Sequence, residues 1–235
     1  MADFKTHVTT STVLGVGYAG AGMALGAHIE TSLVAGGLCG VSGMLPDLDS
    51  DSGVPIRESM AFAAAVVPMF LLHRFQHIEL TYDMIILVGG VTYLFIRFVI
   101  AELLKRYTVH RGMFHSIPAA IIFAEIGFLL CASDDVHMRY YKAGGVLLGV
   151  LSHLLLDELY SIEWHRGRLR LKKSSGTAFK LWGRSLWGNV STYVKLILLT
   201  ALIFGESSIM QKLNPNIMPE KFQQAATELW EKVRR

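Results

Sequence analysis

The chain reads as an all-α protein: a polytopic helical membrane bundle with a metal site at one membrane face. Three observations predict this. The composition is 52% hydrophobic and only 17% charged, with a mean hydropathy of +0.41, whereas a soluble domain is about one-quarter charged. Apolar runs recur along the whole chain, separated by short polar stretches. Histidines and aspartates gather at the ends of those runs instead of scattering. A net charge of +3 gives no reason to expect a nucleic-acid partner. Cys39 and Cys131 each lie inside an apolar run and read as small buried hydrophobes, so neither a disulfide nor a cysteine zinc site is expected.

The apolar runs cover residues 8–27, 31–46, 59–72, 84–101, 114–132, 143–156 and 190–205. A transmembrane helix needs about 20 apolar residues, with a range of about 17–25. The first, fourth and fifth runs meet that length; the others are short and read as tilted, partly buried or re-entrant helices. Glycines crowd the first two runs, from Gly15 to Gly26 and from Gly36 to Gly43. They would weaken a soluble helix but let membrane helices approach closely. The N-terminus faintly resembles a signal peptide, yet Asp3 spoils the basic region and the apolar run is too long. It is therefore read as part of the bundle, with His7 retained. Residues 1–205 form the predicted membrane domain, with a basic segment at 164–184 that contains the alternating stretch "RLRLKK", which reads equally as a short strand or amphipathic surface piece and as a plain cytoplasmic loop. Residues 206–235 form a tail whose end, from Pro219, has the pattern of an amphipathic helix.

If the runs alternate in direction, every unusual polar residue falls on one face. His7 precedes the first run, and Asp47 and Asp49 follow the second. His110 and His115 precede the fifth, and His153 and Asp157 close the sixth. The same face collects Lys5, Arg57, Lys105, Arg106, Arg111 and the basic segment. Cytoplasmic loops are enriched in lysine and arginine, so the motif face is expected to be cytoplasmic.

His153 and Asp157 are four apart and share one side of a helix. Alone, such a pair is more often hydrogen-bonded core than metal site. "HRGMFHS" at 110–116 adds two imidazoles, a candidate N-cap in Ser116 and a cation in Arg111 suited to an oxyanion. With Asp47 and Asp49 the set becomes mixed histidine and aspartate, which suits zinc, manganese or iron, as one ion or as two or more. Such ions activate water and stabilise a leaving oxygen, so hydrolysis of a phosphoester fits best. Asp47, Asp49, Asp51 and Glu58 also resemble a calcium loop, but Gly53 falls one place late and Pro55 intrudes. Two other classes of function remain open: a metal or proton transporter, which would place charges near mid-membrane, and a non-catalytic scaffold tied together by the cluster.

"TH" at 6–7, "LPDLDSD" at 45–51, "HRGMFHS" at 110–116 and "SHLLLDE" at 152–158 resemble the YdjM-like membrane-bound metal-dependent hydrolases over about residues 1–165. The resemblance implies a multi-pass protein of the bacterial inner membrane with a hydrolytic metal site, and leaves the substrate open. The order of histidines and aspartates is also similar, more distantly, to zinc-dependent phospholipase C and related single-strand nucleases. Those enzymes use a processed N-terminal amine as a ligand, whereas here Met1 lies six residues ahead of His7. The combined expectation is a divalent ion, zinc foremost, held by His7, Asp47, Asp49, His110, His115, His153 and Asp157. Arg111 and Asp49 are the candidate catalytic groups, and membrane lipid or another phosphoester the partner.

Overall fold

The computed structural model describes residues 2–49, 54–78, 80–107, 113–131, 133, 135–165, 168–171, 179–183 and 185–206. The order is α1 (Phe4–Ala24), α2 (Ile29–Ser42), a 3-10 helix (Leu45–Asp49), α3 (Val54–His77), α4 (Tyr82–Leu94), a π-helix (Phe95–Ile100), α5 (Ala101–Tyr107), α6 (Ile117–Leu130), α7 (Val136–Leu159), β1 (Ile162–His165), β2 (Arg168–Leu171) and α8 (Leu186–Gly205). The strands pair antiparallel with Ile162 opposite Leu171, so part of the basic segment is a hairpin, in line with the strand reading of its alternation.

Small residues set the tightest packing. The buried stripe of α1 is His7, Ser11, Gly15, Ala19 and Gly22, one residue per turn, and it faces α2 and α7. A Cβ on Gly15 would lie 2.3 Å from the Gly36 carbonyl oxygen, and one on Gly149 2.1 Å from that of Cys39. Backbone therefore touches backbone, the contact that small residues permit. Buried hydroxyls stitch the same seam: Ser11 Oγ donates to Gly40 O at 2.7 Å. Tyr18 and Tyr141 stack at 4.8 Å, and each donates its hydroxyl to the other's carbonyl, at 2.8 and 3.0 Å.

α6 packs on α7, α8 on α6, and α3 with α4 and the π-helix forms an outer layer. Arg139 and Arg74 both pair with Glu206, and both also donate to carbonyls at the end of α6, Phe128 O and Leu129 O. The ends of α3, α6 and α8 and the start of α7 are thereby clamped together at one end of the bundle. The starts of α1, α3 and α6 and the ends of α2 and α7 lie at the other, in agreement with the predicted alternation.

Four length expectations change. The fifth run, long enough by composition to cross a membrane, forms only the 14-residue α6, about 21 Å long at ~1.5 Å per residue. Ser116 caps its start and Cys131 ends it. The first run forms the 21-residue α1, but its glycines, serines and threonines keep it off the set long and apolar enough to cross. Among the described residues that set is Ile56–Gln76, Tyr82–Leu104 and Leu186–Gly205. The third and seventh runs, short by composition, thus sit in full-length helices, because flanking polar residues continue α3 and α8. The C-terminal helix expected from Pro219 lies outside the described residues.

Candidate metal centre

Five of the predicted residues converge at the end of the bundle opposite the arginine clamp. His7 sits in the first turn of α1, which begins where the Asp3 side chain accepts from Thr6 N at 2.8 Å. Asp47 lies on the 3-10 helix that continues α2. His115 directly precedes the α6 cap, Ser116, whose hydroxyl accepts from Ala119 N. His153 and Asp157 occupy the last two turns of α7. His7 and His153 are essentially enclosed, at 1% and 0% exposure, and His115 and Asp157 are buried.

His153 is at the centre. Its ring stacks on His7 with centroids 3.6 Å apart and meets His115 edge-on at 5.3 Å. Its Nδ1 lies 2.7 Å from Gly43 O. A carbonyl only accepts, so Nδ1 carries the proton and Nε2 presents a lone pair. That lone pair points between two carboxylates, 3.6 Å from Asp47 Oδ1 and 3.7 Å from Asp157 Oδ2, and has no hydrogen-bond partner among the described residues. His115 Nε2 stands 3.6 Å from Asp47 Oδ1 and 3.8 Å from Asp157 Oδ2, and His7 Nε2 stands 3.3 Å from Asp157 Oδ1.

These separations are too long for good hydrogen bonds, yet close to the ~3.3 Å between neighbouring ligands of a tetrahedral ion with ~2.0–2.1 Å bonds. Two trios, His7–Asp47–His153 and His115–His153–Asp157, offer ligand atoms all within 4.8 Å of one another. They share His153, so five side chains face one volume. The donor set of three imidazoles and two carboxylates fits zinc, manganese or iron. Burial opposes the charge on Asp47, but the neighbouring His115, His153 and His7 outweigh it and hold its carboxyl below the ordinary aspartate value. Asp47 is therefore ionised at neutral pH, the form a cation needs.

His110 and Arg111 lie outside the described residues, as does the side chain of Asp49. The Gly43 carbonyl, which fixes the His153 tautomer, has no sequence signal: it is a backbone atom 110 positions away. Orientation of a candidate ligand by such a contact is typical of metal histidines.

No curated protein and no solved structure matches the chain. A family model described as YdjM inner membrane protein matches residues 1–169, a span holding all four motifs and the whole cluster. The chain belongs to the YdjM inner membrane protein family.

Proposed function

We propose that the protein is a multi-pass, membrane-bound metal-dependent hydrolase acting on a phosphoester, with its site at the cytoplasmic face. The observation that carries the reading is the deprotonated His153 Nε2 aimed at two carboxylate oxygens. Lone pair facing lone pair in a buried pocket is unfavourable unless a cation lies between them. His7, Asp47, His115, His153 and Asp157 would hold that ion. Bound there, a zinc-like ion supplies Lewis acidity and an activated water. The chain's own residues position the ion and exclude bulk solvent, and the stacked His7 and His153 rings wall the site on the α1–α7 side.

Location favours hydrolysis over transport, since the cluster sits where helices end while a transport path would carry ligands near mid-membrane. The test is a panel of phosphomonoesters, phosphodiesters and phospholipids given to the detergent-purified chain after metal removal and after restoring zinc, manganese or iron. The expected result is hydrolysis that returns with one metal and is lost in His153→Ala. No turnover of any member with any metal would refute the reading.

A further inference from the structure

An apolar groove of about 430 Å³ lies between α3 and α6. It is large against the ~150 Å³ apolar cavities that stay dry and take benzene-sized guests, and it lies in the range of true ligand pockets, about 300–1,000 Å³. It is lined along α3 from Ser59 to Phe70 and along α6 from Ala119 to Leu130. Each stretch rises about 16 Å at ~1.5 Å per residue. Half of a ~30 Å hydrocarbon core is about 15 Å, so the groove has the depth of one leaflet. Phe62 and Ile126 on its wall are 40% and 37% exposed, so it opens sideways, toward lipid in a membrane.

One end of the groove lies at the same end of the bundle as the cluster. Ser42, Leu48 and Phe114 line it and directly adjoin Gly43, Asp47 and His115 in sequence. Its polar lining is confined to Ser42, Ser59, Thr192 and Lys195, and these gather toward the same end. Ser59 lies little more than a turn into α3. It is 2% exposed, and its hydroxyl has no hydrogen-bond partner among the described residues. A buried hydroxyl left unpaired is costly and marks the position of a missing acceptor. Lys195 belongs to α8, where Thr200 bonds Glu125 of α6. With both helices leaving the site end, that pairing sets Lys195 level with Ala120, within a turn of the α6 start. From there its flexible stem reaches the polar end.

We infer that the groove seats one acyl chain of a glycerophospholipid, with Ser59 Oγ donating to the chain's ester carbonyl and the phosphate lying at the His–Asp cluster beside Lys195. The acyl seat follows from the groove itself; the phosphate's place rests on the hydrolytic reading above. The occupant is a single chain because one leaflet's depth and one buried hydroxyl are present.

Phosphatidylglycerol carrying a photoactivatable diazirine, either beside the ester or at the chain terminus, tests this on the full chain in lipid nanodiscs. Cross-linked peptides from the ester-proximal probe are expected around Leu45, Leu48 and Phe114, and those from the terminal probe around Phe70 and Leu130. Ala63→Trp, and separately Val66→Trp, should cut this labelling by about tenfold or more. Ser59→Ala should lower the thermal shift produced by added phosphatidylglycerol while leaving the lipid-free melting temperature unchanged or raised, since it removes an unpaired buried hydroxyl; a purely structural serine would lower it. In His153→Ala the depth order of the labelled peptides should persist, since His153 does not line the groove. Labelling spread over exposed α4 positions such as Ile86 and Leu87, with no depth order, would overturn the seat. Depth-ordered labelling without hydrolysis of any lipid would uphold the seat and reject the catalytic reading alone.

Discussion

At the scale of the residue, His153 is the centre of the proposed site. Its Nδ1 is committed to Gly43 O, so its Nε2 presents a lone pair that can hold an ion. Anything that displaces the ring should matter as much as removing it. Gly149 lies one turn earlier on α7, where an added Cβ would stand 2.1 Å from both Cys39 O and Ser42 Oγ. Alanine would gain about 1 kcal/mol of helix propensity. The clash is with backbone, however, and helix separation must grow, at a cost of about 1–3 kcal/mol or more. Gly149→Ala is therefore expected to lower the melting temperature by a few degrees, at roughly 2–4 °C per kcal/mol, and to weaken metal retention, measured together on purified protein. His153 and Asp157 were legible in the sequence through their four-residue spacing, and Asp47 through its place at the end of an apolar run. Ser59 was not, because an isolated serine in an apolar helix gives no signal until its missing partner is seen. Nor was the tautomer, which depends on a contact made only on folding.

At the scale of the element, caps and ends place the candidate ligands. Ser116 holds the start of α6 by accepting from Ala119 N at 3.3 Å and donating to Met113 O, and His115 is the residue before it. Ser116→Ala should cost about 1 kcal/mol of stability, the usual loss for a cap, and should weaken metal binding more than a comparable cap loss at α8, Ser185→Ala. A titration of metal affinity in the two variants separates them. The cap and the proline beside it were readable from "HSIP". Helix lengths were less so. Hydropathy alone extends the fifth run to residue 132, while the folded helix stops at Leu130. Hydropathy also starts the seventh run late, at residue 190, since Trp187 and Asn189 are interfacial or polar yet helical. Composition measures what a segment dissolves in, and capping and tertiary packing decide where its helix ends.

At the scale of the whole molecule, two polar assemblies hold opposite ends of a helical membrane bundle. The far end depends on Glu206, gripped by Arg139 and Arg74. Burial raises the carboxyl's pKa, but the hydrogen bonds and charges of Arg139 and Arg74 outweigh it and leave it below the ordinary glutamate value. A carboxyl depressed on folding stabilises fully above its unfolded pKa, and that contribution disappears as pH falls through the folded value. Glu206→Gln should thus lower stability near neutral pH by on the order of 1 kcal/mol after solvent screening, read as a lower melting temperature. The gap to wild type should close as pH drops below about 4. A gap independent of pH would show that packing, not charge, makes this contact. The convergence of the motifs at one end was predictable because alternating helices force it, whereas the arginine clamp joins side chains 67 and 132 positions apart that no local pattern links.

The most direct measurement is metal content by elemental analysis of the purified full chain, with X-ray absorption at the edge of whatever metal is found, in wild type and His153→Ala. A shared cationic centre predicts at least one tightly held transition metal per chain, with mixed imidazole and carboxylate scattering, and its loss in the variant. A wild type that holds no such metal after loading, or a variant that holds as much, would contradict it.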